Sequence, residues 1–591
     1  MTHVTPEDNE PLSVEPYPKP VEVIRQQEYP HMSHGIYLDH GGTTIYARST
    51  VERFAQKMIS NLYGNPHSAN EPAKISGDMV DAIREKALRF LGADPDHFDL
   101  IFTANATAAI KLVAESFRDL AEQTRSGTFW YGYHRDAHTS LVGVRELTDG
   151  DHHAFADDAE VEEWLASPPP TTTATTTAFI PPAAANRVSS LGLFAYPGQS
   201  NLTGRRLPLS WPRKLRAAAA AAAAASSRHN HPHPYRNRHL QDTYTLLDAA
   251  ALAVTYPLSR VFADPDAAPD FACVSFYKIF GFPDLGGLVV RRESGHVLAL
   301  RKYFGGGTVA MVSALGGGRQ AWHLSKALEG ARGGGERGRD DGGGRGAEEE
   351  EKGKAPPSVL HEGLEDGTLP FHSILALGEA IDVHAELYGS MENVSARTGA
   401  LVRRLYRGMV GLRYPNGQPL CRVYDGADED GERGGGGGGG AGPAAFGDPK
   451  RQGATLAFNV FRPDGRYVAY ATVERLANER GVYVRSGGIC CPGGLFAALQ
   501  YEPWQLKRAR SAGHHCGPNG LGLINELPTG VVRASLGAMS TVQDVDNFVA
   551  FLRETFIEQE KSFGAGRESS VQDPLVEDIE CVLRNGSYCP A

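Results

Sequence analysis

Short apolar runs alternate with segments of helical periodicity from Tyr37 onward. Residues 100–103 predict a buried strand, and residues 106–117 predict the helix that follows it. Residues 244–248 and 271–275 predict two further strands, each of which ends in a polar residue. This order of strand, polar end and helix is typical of an α/β protein with a mostly parallel central sheet. We therefore predict an α/β fold with ligands at the carboxyl ends of the strands.

A second group of apolar runs predicts a smaller C-terminal α/β domain. It comprises a strand over residues 453–460, an amphipathic helix over 468–480 and a last helix over 542–556 with Ser540 as its N-cap. The predicted divisions are a flexible arm (1–35), a large domain (36–364), a small domain (365–560) and a tail (561–591).

Four stretches of biased composition interrupt the pattern and predict surface insertions, because such compositions cannot bury an apolar core. They lie near residues 152–187, 216–240, 330–357 and 426–450. One contains four histidines, His229, His231, His233 and His239. No cysteine or carboxylate stands beside them at ligand spacing, so we predict a solvated loop and no metal site.

Charge and composition narrow the class of protein. The chain has 59 basic and 70 acidic residues and a net charge of −11, which argues against a nucleic-acid partner. No apolar run approaches the roughly 18 residues that span a bilayer, and the N-terminus does not resemble a secretory signal. Seven cysteines, an odd and sparse number, favour a reducing compartment. We predict a soluble cytoplasmic protein.

Lys278 closes the apolar run over residues 271–277, which continues the predicted strand. Burying its amine is costly unless the amine has a lowered pKa or a covalent use, although a snorkelling or paired lysine is also compatible with the pattern. Ser275 and Tyr277 add hydroxyls suited to a phosphate. Asp248 ends another strand, where it is either a helix cap or the partner of a cofactor's pyridine nitrogen.

Two further segments carry candidate chemistry. The predicted helix N-terminus at Asn105 to Thr107 is either an ordinary cap or an anion site. His138 is either a loop histidine or a flat ring that stacks on a cofactor.

Cys490 and Cys491 lie together in a Gly/Pro turn, where disulfide geometry disfavours their pairing. With Arg485 nearby, a loop thiolate has the profile of a nucleophile.

Together these motifs resemble the class V aminotransferase-fold enzymes and, among them, the N-terminal module of molybdenum cofactor sulfurases. The matching segments are residues 37–44, 63–68, 102–107, 274–281, 303–308 and 365–371. The resemblance covers about residues 36–556 apart from the insertions. It implies the type I fold of pyridoxal-phosphate-dependent transferases, a pyridoxal 5'-phosphate cofactor and a homodimer.

The resemblance also implies roles for individual residues. Lys278 would hold the cofactor covalently, Asp248 would bind its pyridine nitrogen, His138 would stack on its ring, and Asn201 would reach its ring hydroxyl. The implied phosphate-binding residues are Ala106, Thr107, Ser275, Tyr277 and, from the other subunit, Thr308. Arg533, together with Arg485, would bind the carboxylate of the substrate.

The implied reaction removes sulfur from L-cysteine, leaving alanine and a persulfide on Cys490. The sulfur would then pass to the molybdenum cofactor (molybdopterin) of xanthine dehydrogenase or aldehyde oxidase. Cys491 departs from the family pattern, which has a small residue or asparagine there, so either thiol is a candidate and Cys490 is favoured. No molybdenum-cofactor-binding domain is expected in the tail at 561–591.

Two other functions fit parts of the pattern. A general cysteine desulfurase for iron–sulfur or thiolation pathways shares the cofactor residues. Tyr277 and Ala251 favour the sulfurase, because general desulfurases tend to have histidine and glutamine at those positions. A non-catalytic scaffold that retains the fold is disfavoured by the presence of Lys278, Asp248 and Cys490.

Overall fold

The computed structural model describes most of the chain in eight segments. They are residues 17–124, 127–166, 191–227, 242–315, 321–328, 360–425, 445–515 and 520–558. The predicted histidine-rich loop and the predicted tail lie outside these residues.

Helices and short strands alternate along the described chain. The helices are α1 (Val21–Glu28), α2 (Arg48–Ser60), α3 (Glu71–Leu91), α4 (Ala106–Gln123), α5 (Thr139–Val142), α6 (Asp158–Ala166), α7 (Trp211–Ser227), α8 (Ser259–Phe262), α9 (Phe276–Phe280), α10 (His296–Ala299), α11 (Phe371–Tyr388), α12 (Met391–Val410), α13 (Tyr470–Glu479), α14 (Pro492–Ala498), α15 (Pro503–Ser511) and α16 (Val542–Arg553). The strands are β1 (Ile36–Tyr37), β2 (Phe98–Thr103), β3 (Trp130–His134), β4 (His152–Phe155), β5 (Gly192–Pro197), β6 (Thr243–Asp248), β7 (Phe271–Ser275), β8 (Gly286–Arg291), β9 (Val309–Ser313), β10 (Trp322–Ser325), β11 (Cys421–Tyr424), β12 (Thr455–Val460), β13 (Val482–Tyr483), β14 (Arg485–Gly487), β15 (Leu523–Ile524), β16 (Leu527–Pro528) and β17 (Val531–Ser535).

A seven-stranded sheet forms the centre of the large domain, in the order β2-β8-β7-β6-β5-β3-β4. Strands β7, β6, β5, β3 and β4 pair in parallel, whereas β8 runs antiparallel to both of its neighbours. The prediction of an α/β fold with a mostly parallel sheet is confirmed. Because β6 and β7 are adjacent and parallel, their polar ends, Asp248 and Ser275, lie at the same edge of the sheet.

Both faces of this sheet are buried, as a sheet covered by helices requires. Alternate residues of β7 enter different cores: Ala272 and Val274 pack on one side, Phe271 and Cys273 on the other. The strand is therefore apolar from Phe271 to Val274, and Ser275, its last residue, is its first polar side chain.

The small domain is built on a four-stranded antiparallel sheet in the order β11-β12-β17-β14. Helices α12, α13 and α16 pack on it, and its core includes Leu405, Phe458 and Phe548. The predicted last helix begins as expected at Val542, but Thr541 caps it rather than Ser540: the Thr541 side chain accepts from the Asp544 N–H, and Asp544 caps back.

Two predicted divisions differ from the structure. Within the predicted flexible arm, Val21 and Ile24 of α1 are buried against Tyr388 of α11, because α1 presents an apolar face to the core. The expected insertion near 152–187 contains β4 and α6, whose Val161 and Trp164 are core residues. The rest of that insertion lies outside the described residues.

Two further boundaries also move. The alanine run at the start of the insertion near 216–240 extends α7, since alanine is the strongest helix former. Helix α11 was assigned to the small domain by the predicted boundary at residue 364, yet Ile374 and Leu377 complete the core of the large domain against α3. Ala445 and Phe446, inside the expected insertion near 426–450, are buried. No helix within the described ranges is both long and apolar enough to cross a bilayer.

Candidate active site

Lys278 lies in α9, the short helix that begins where β7 ends. Burial lowers the pKa of its ε-amine, the Asp248 carboxylate acts in the opposite direction, and the cations Arg533 and Arg485 lower it further. Three other predicted residues, Asp248, Arg533 and Arg485, therefore act on this amine. An amine with a lowered pKa is neutral more often at physiological pH and is therefore a better nucleophile.

Asp248 is held by one of its two carboxylate oxygens. Oδ1 accepts the Ala250 N–H at 3.0 Å and the Cys273 thiol at 3.6 Å. Because both donors use Oδ1, Oδ2 is left for a partner in the site. Cys273 was not predicted as a site residue, since a cysteine inside an apolar strand is ordinarily core filler.

The N-terminus of α4 forms the anion-binding part of the site. Its first N–H, on Ala106, donates to Ser275 Oγ at 3.1 Å, and Asn105 caps the helix by accepting from the Ala108 N–H. The Thr107 and Ser140 hydroxyls are 2.8 Å apart. Hydroxyls and N–H groups at a helix N-terminus form a suitable cradle for a phosphate.

The loop that carries Cys490 is docked against the segment around His138. The Thr139 N–H donates to the Cys490 carbonyl at 3.0 Å, and the Asn201 side-chain amide donates to the Ile489 carbonyl at 2.6 Å. A side chain at Gly493 would meet the Arg135 carbonyl at 2.4 Å, so only glycine permits this close approach. The sequence had suggested a mobile loop, whereas here it is held from three sides.

The backbone of this loop is strained at its centre. Ile489 and Cys490 have φ angles of 52° and 53°. Residues other than glycine seldom adopt this left-handed conformation, and a β-branched residue least of all. The conformation keeps the Cys490 side chain exposed while Ile489 and Cys491 are buried.

The two adjacent thiols have opposite electrostatic environments. The His138 side chain lowers the pKa of Cys490 to about 7, and Arg485 and Thr139 act in the same direction. Burial raises the pKa of Cys491 well above its ordinary range, and its thiol donates to the Asp136 carbonyl at 3.4 Å. Because a thiolate is the reactive form, the geometry favours Cys490 and makes Cys491 an anchor of the loop.

This difference predicts the pH dependence of thiol alkylation. A lowered pKa means that the thiolate of Cys490 is populated above about pH 7, so its reaction rate with iodoacetamide should rise with a midpoint near 7 rather than near 9. Peptide mapping by mass spectrometry at a series of pH values measures it. His138→Ala should move the midpoint upward, and a wild-type midpoint near 9 would contradict the assignment.

Arg533 lies on β17, opposite Arg485 on β14, and is almost completely buried. One guanidinium nitrogen, Nη2, donates to Asp39 Oδ1 at 2.6 Å, and Nη1 donates to the Asn201 carbonyl at 3.0 Å. Asn201 therefore contacts both the cysteine loop and Arg533, and its contact with a ring hydroxyl stays a prediction. Asp39 was not predicted as a site residue, although it lies within the matching segment 37–44.

Two predicted residues are not in contact with this group. The Thr308 hydroxyl donates to the Gly305 carbonyl at 2.9 Å, in a loop next to His67 and Gly367. The Tyr277 carbonyl accepts from the Thr44 N–H, while its hydroxyl has no hydrogen-bond partner within the described residues. No cluster of three or more His, Cys, Asp or Glu side chains suited to a metal ion occurs in the described ranges.

Comparisons with known proteins identify relatives of this chain. The aminotransferase class-V family model matches residues 36–134. The molybdenum cofactor sulfurase of Aspergillus niger is 43% identical over 543 residues, which cover 92% of this chain and 55% of that protein. The molybdenum cofactor sulfurase of Neurospora crassa is 43% identical over 542 residues, covering 92% of this chain and 48% of that protein.

The fold has solved counterparts. The cysteine desulfurase CsdA from Escherichia coli superposes with a TM-score of 0.56 at 18% identity, covering 91% of this chain and 100% of that one. This likeness shows the fold. The chain spans about half the length of the curated relatives it matches. It is therefore a homologue of the molybdenum cofactor sulfurases with the class-V aminotransferase fold.

Proposed function

We propose that the protein is a pyridoxal-phosphate-dependent sulfurtransferase that takes sulfur from L-cysteine and holds it as a persulfide on Cys490. The observation that carries this proposal is the position of the Cys490 thiol: it contacts His138, its pKa is lowered to about 7, and its charge acts on the buried Arg533. A nucleophilic thiol, a buried amine and a carboxylate-binding cation in one site are what desulfuration of an amino acid requires.

The residues at this edge of the sheet fit pyridoxal phosphate. The free oxygen of Asp248 suits a protonated pyridine nitrogen, and the Ala106 N–H with the Ser275 and Thr107 hydroxyls suits the phosphate. Lys278 would bind the aldehyde carbon. When bound, the cofactor withdraws the electrons released as the α-proton of the substrate leaves.

The side chains of the protein supply the other steps. Arg533 binds the substrate carboxylate, and the Lys278 amine, once freed, accepts the α-proton. His138 stabilises the Cys490 thiolate, which attacks the sulfur of L-cysteine. A sulfur–sulfur bond forms, and the bond between Cβ and sulfur breaks with its electrons going to Cβ. Cβ then takes up a proton, and the Lys278 ammonium returns a proton to Cα, which gives alanine.

The proposed acceptor of the sulfur is the molybdenum cofactor, either free or on the enzymes that carry it. The relatives with 43% identity are molybdenum cofactor sulfurases, whereas the similarity to CsdA is limited to 18% identity. A general cysteine desulfurase is the alternative.

The described cysteines, Cys273, Cys421, Cys490 and Cys491, are all free thiols, which suits a reducing cytoplasm.

The test is to incubate the purified, cofactor-loaded protein with L-cysteine and to measure alanine and protein-bound persulfide. We expect both products in equal amounts in a first turnover. Absence of a yellow cofactor and of alanine would overturn the enzyme proposal. Reactivation of desulfo xanthine dehydrogenase, set against sulfur delivery to an iron–sulfur scaffold, distinguishes the two acceptors.

A homodimer is proposed from a second cluster of matching segments. Residues 63–68, 303–308 and 365–371 meet: the Gly305 N–H donates to Asp366 Oδ1 at 2.9 Å and the Gly367 N–H donates to the Gly306 carbonyl at 2.7 Å. The adjoining β9–β10 hairpin exposes large apolar side chains, namely Met311, Val312, Leu315 and Trp322. An apolar surface beside Thr308 fits a second copy of the chain.

Light scattering should therefore give twice the chain mass of 63.6 kDa. Met311→Glu should shift the protein toward the monomer, because it places a charge in the apolar interface. Leu527→Glu, at an exposed apolar residue of the small domain, is the matched control and should leave the mass unchanged. A monomeric wild-type protein would rule out the dimer.

A further inference from the structure

The carboxylate of Asp39 pairs with the guanidinium group of Arg533, which is proposed to bind the substrate. Asp39 lies two residues after β1, and its backbone forms an isolated bridge to Ser535 at the end of β17. From there its Oδ1 lies 2.6 Å from Arg533 Nη2. The side chain of Arg533 is 3% exposed and that of Asp39 is 24% exposed, so the arginine is fixed in the protein and the aspartate is at the solvent side.

Arg533 is not fully satisfied by this contact. Its Nη1 donates to the Asn201 carbonyl and its Nη2 to Asp39, while its Nε is buried without a hydrogen-bond partner. Nε, which is unpartnered, and Nη2, which pairs with Asp39, form one edge of the guanidinium plane. That edge matches the two oxygens of a carboxylate, and Asp39 uses only half of it.

The local charge favours an anion. Arg485 is the cross-strand partner of Arg533, and directly opposed like charges are unfavourable unless a counter-ion is present. Within the described residues no acidic group pairs with Arg485, and the Asp39 carboxylate pairs with Arg533. Burial also lowers the pKa of Arg533, and Asp39 counteracts this effect.

The turn that carries Asp39 packs closely against the ion pair. At Gly42 a side chain would meet Asp39 Oδ2 at 2.8 Å, and at Gly41 it would meet Arg533 Nη2 at 3.3 Å. The small glycines thus let the turn cover the ion pair closely. The end of the turn contacts α9: the Thr44 N–H donates to the carbonyl of Tyr277, the residue before Lys278, at 3.4 Å.

We propose that Asp39 is an internal stand-in for the substrate carboxylate, and that an amino acid binds by exchanging its own carboxylate for Asp39 on Arg533. The exchange keeps the buried guanidinium paired at all times and fills its unpartnered Nε. An amine without a carboxylate cannot displace Asp39, so the exchange selects for α-amino acids. This inference rests on the proposed role of Arg533 in substrate binding.

The test compares binding of L-alanine, which lacks a thiol and cannot react with Cys490, to the wild-type and Asp39→Asn proteins by calorimetric titration. The asparagine keeps the shape of the side chain but removes the competing charge. In the wild-type protein Asp39 competes for Arg533, so the apparent affinity for L-alanine is the intrinsic affinity multiplied by the fraction of time that Arg533 is open. D39N removes this competition and should bind L-alanine about tenfold more tightly. Binding of L-alaninamide, which has no carboxylate, should not tighten.

Two variants complete the design. Asp39→Ser should behave like D39N and protects the test against a folding defect of either protein. Glu386→Gln removes an exposed carboxylate that pairs with Arg53 far from the site, and it should leave L-alanine binding unchanged. Equal or weaker binding of L-alanine by both Asp39 variants would overturn the proposal, because Asp39 would then orient Arg533 rather than compete for it. A lack of L-alanine binding by all the proteins would overturn it as well.

The enzyme proposal is judged separately, from alanine and persulfide formed by the wild-type protein from L-cysteine. If these products form while the Asp39 variants bind L-alanine no more tightly, only the stand-in role fails. If they do not form, the proposed reaction fails whatever the titration gives.

Discussion

Lys278→Ala is expected to lower alanine formation from L-cysteine by about a thousandfold or more, which is the scale of losing a positioned proton-transfer group together with a covalent attachment. The amine is the buried group on which Asp248, Arg533 and Arg485 all act. Borohydride reduction followed by peptide mapping should find the cofactor attached to Lys278 in the wild-type protein. The variant should retain no attached cofactor after the same treatment.

Lys214→Ala is the matched control for this experiment. Lys214 lies on α7 and pairs with Glu162 at the surface, so its loss removes an amine of the same kind without touching the site. The control should keep wild-type rates. Attachment of the cofactor to a lysine other than Lys278, or full activity of the alanine variant, would refute the assignment.

The adjacent cysteines provide the second experiment. Cys490→Ser should abolish protein-bound persulfide, because a serine hydroxyl is not ionised near neutral pH and cannot accept the sulfur. Cys491→Ser should retain the persulfide and instead lose stability by about 1–2 kcal/mol, since the Cys491 thiol is fully buried and donates to the Asp136 carbonyl. Persulfide labelling with mass spectrometry and thermal unfolding measure the two effects.

The opposite pattern would assign the sulfur to the other residue. If C491S lost the persulfide at unchanged stability and C490S kept it, the exposed thiol would not be the carrier. Loss of persulfide in both variants with a lowered unfolding temperature in C491S alone would show that Cys490 carries the sulfur and that Cys491 holds the loop in place.

The sequence was most informative where local pattern and chemistry coincide. Lys278, Asp248 and Ser275 each stand at the end of an apolar strand, so the parallel arrangement of those strands was enough to predict that they lie at one edge. The fold class followed from the same alternation. Cys490 was found through its Gly/Pro turn and Arg533 through the resemblance, and their position beside Lys278 depends on how the small domain packs on the large one.

Other features depend on contacts between residues distant in sequence. The pairing of Asp39 with Arg533 spans most of the chain, and neither residue signals it locally. Cys491 cannot be distinguished from Cys490 by sequence, because the burial that raises the pKa of its thiol comes from the segment around Asp136. The alanine run in α7 was interpreted as an insertion from its composition, although helix propensity alone allowed it to extend a helix of the fold.

The left-handed backbone at Ile489 and Cys490 has a consequence for the release of the loop. Each such residue costs about 1–2 kcal/mol relative to an ordinary conformation. The three hydrogen bonds that hold the loop, from Thr139, Asn201 and Cys491, contribute about 0.5–1.5 kcal/mol each. Because the two sums are of similar size, the strain offsets the hydrogen bonds, and the burial of Ile489 and Cys491 keeps the loop docked. Replacing Ile489 by a smaller side chain should therefore release the residue that collects the sulfur.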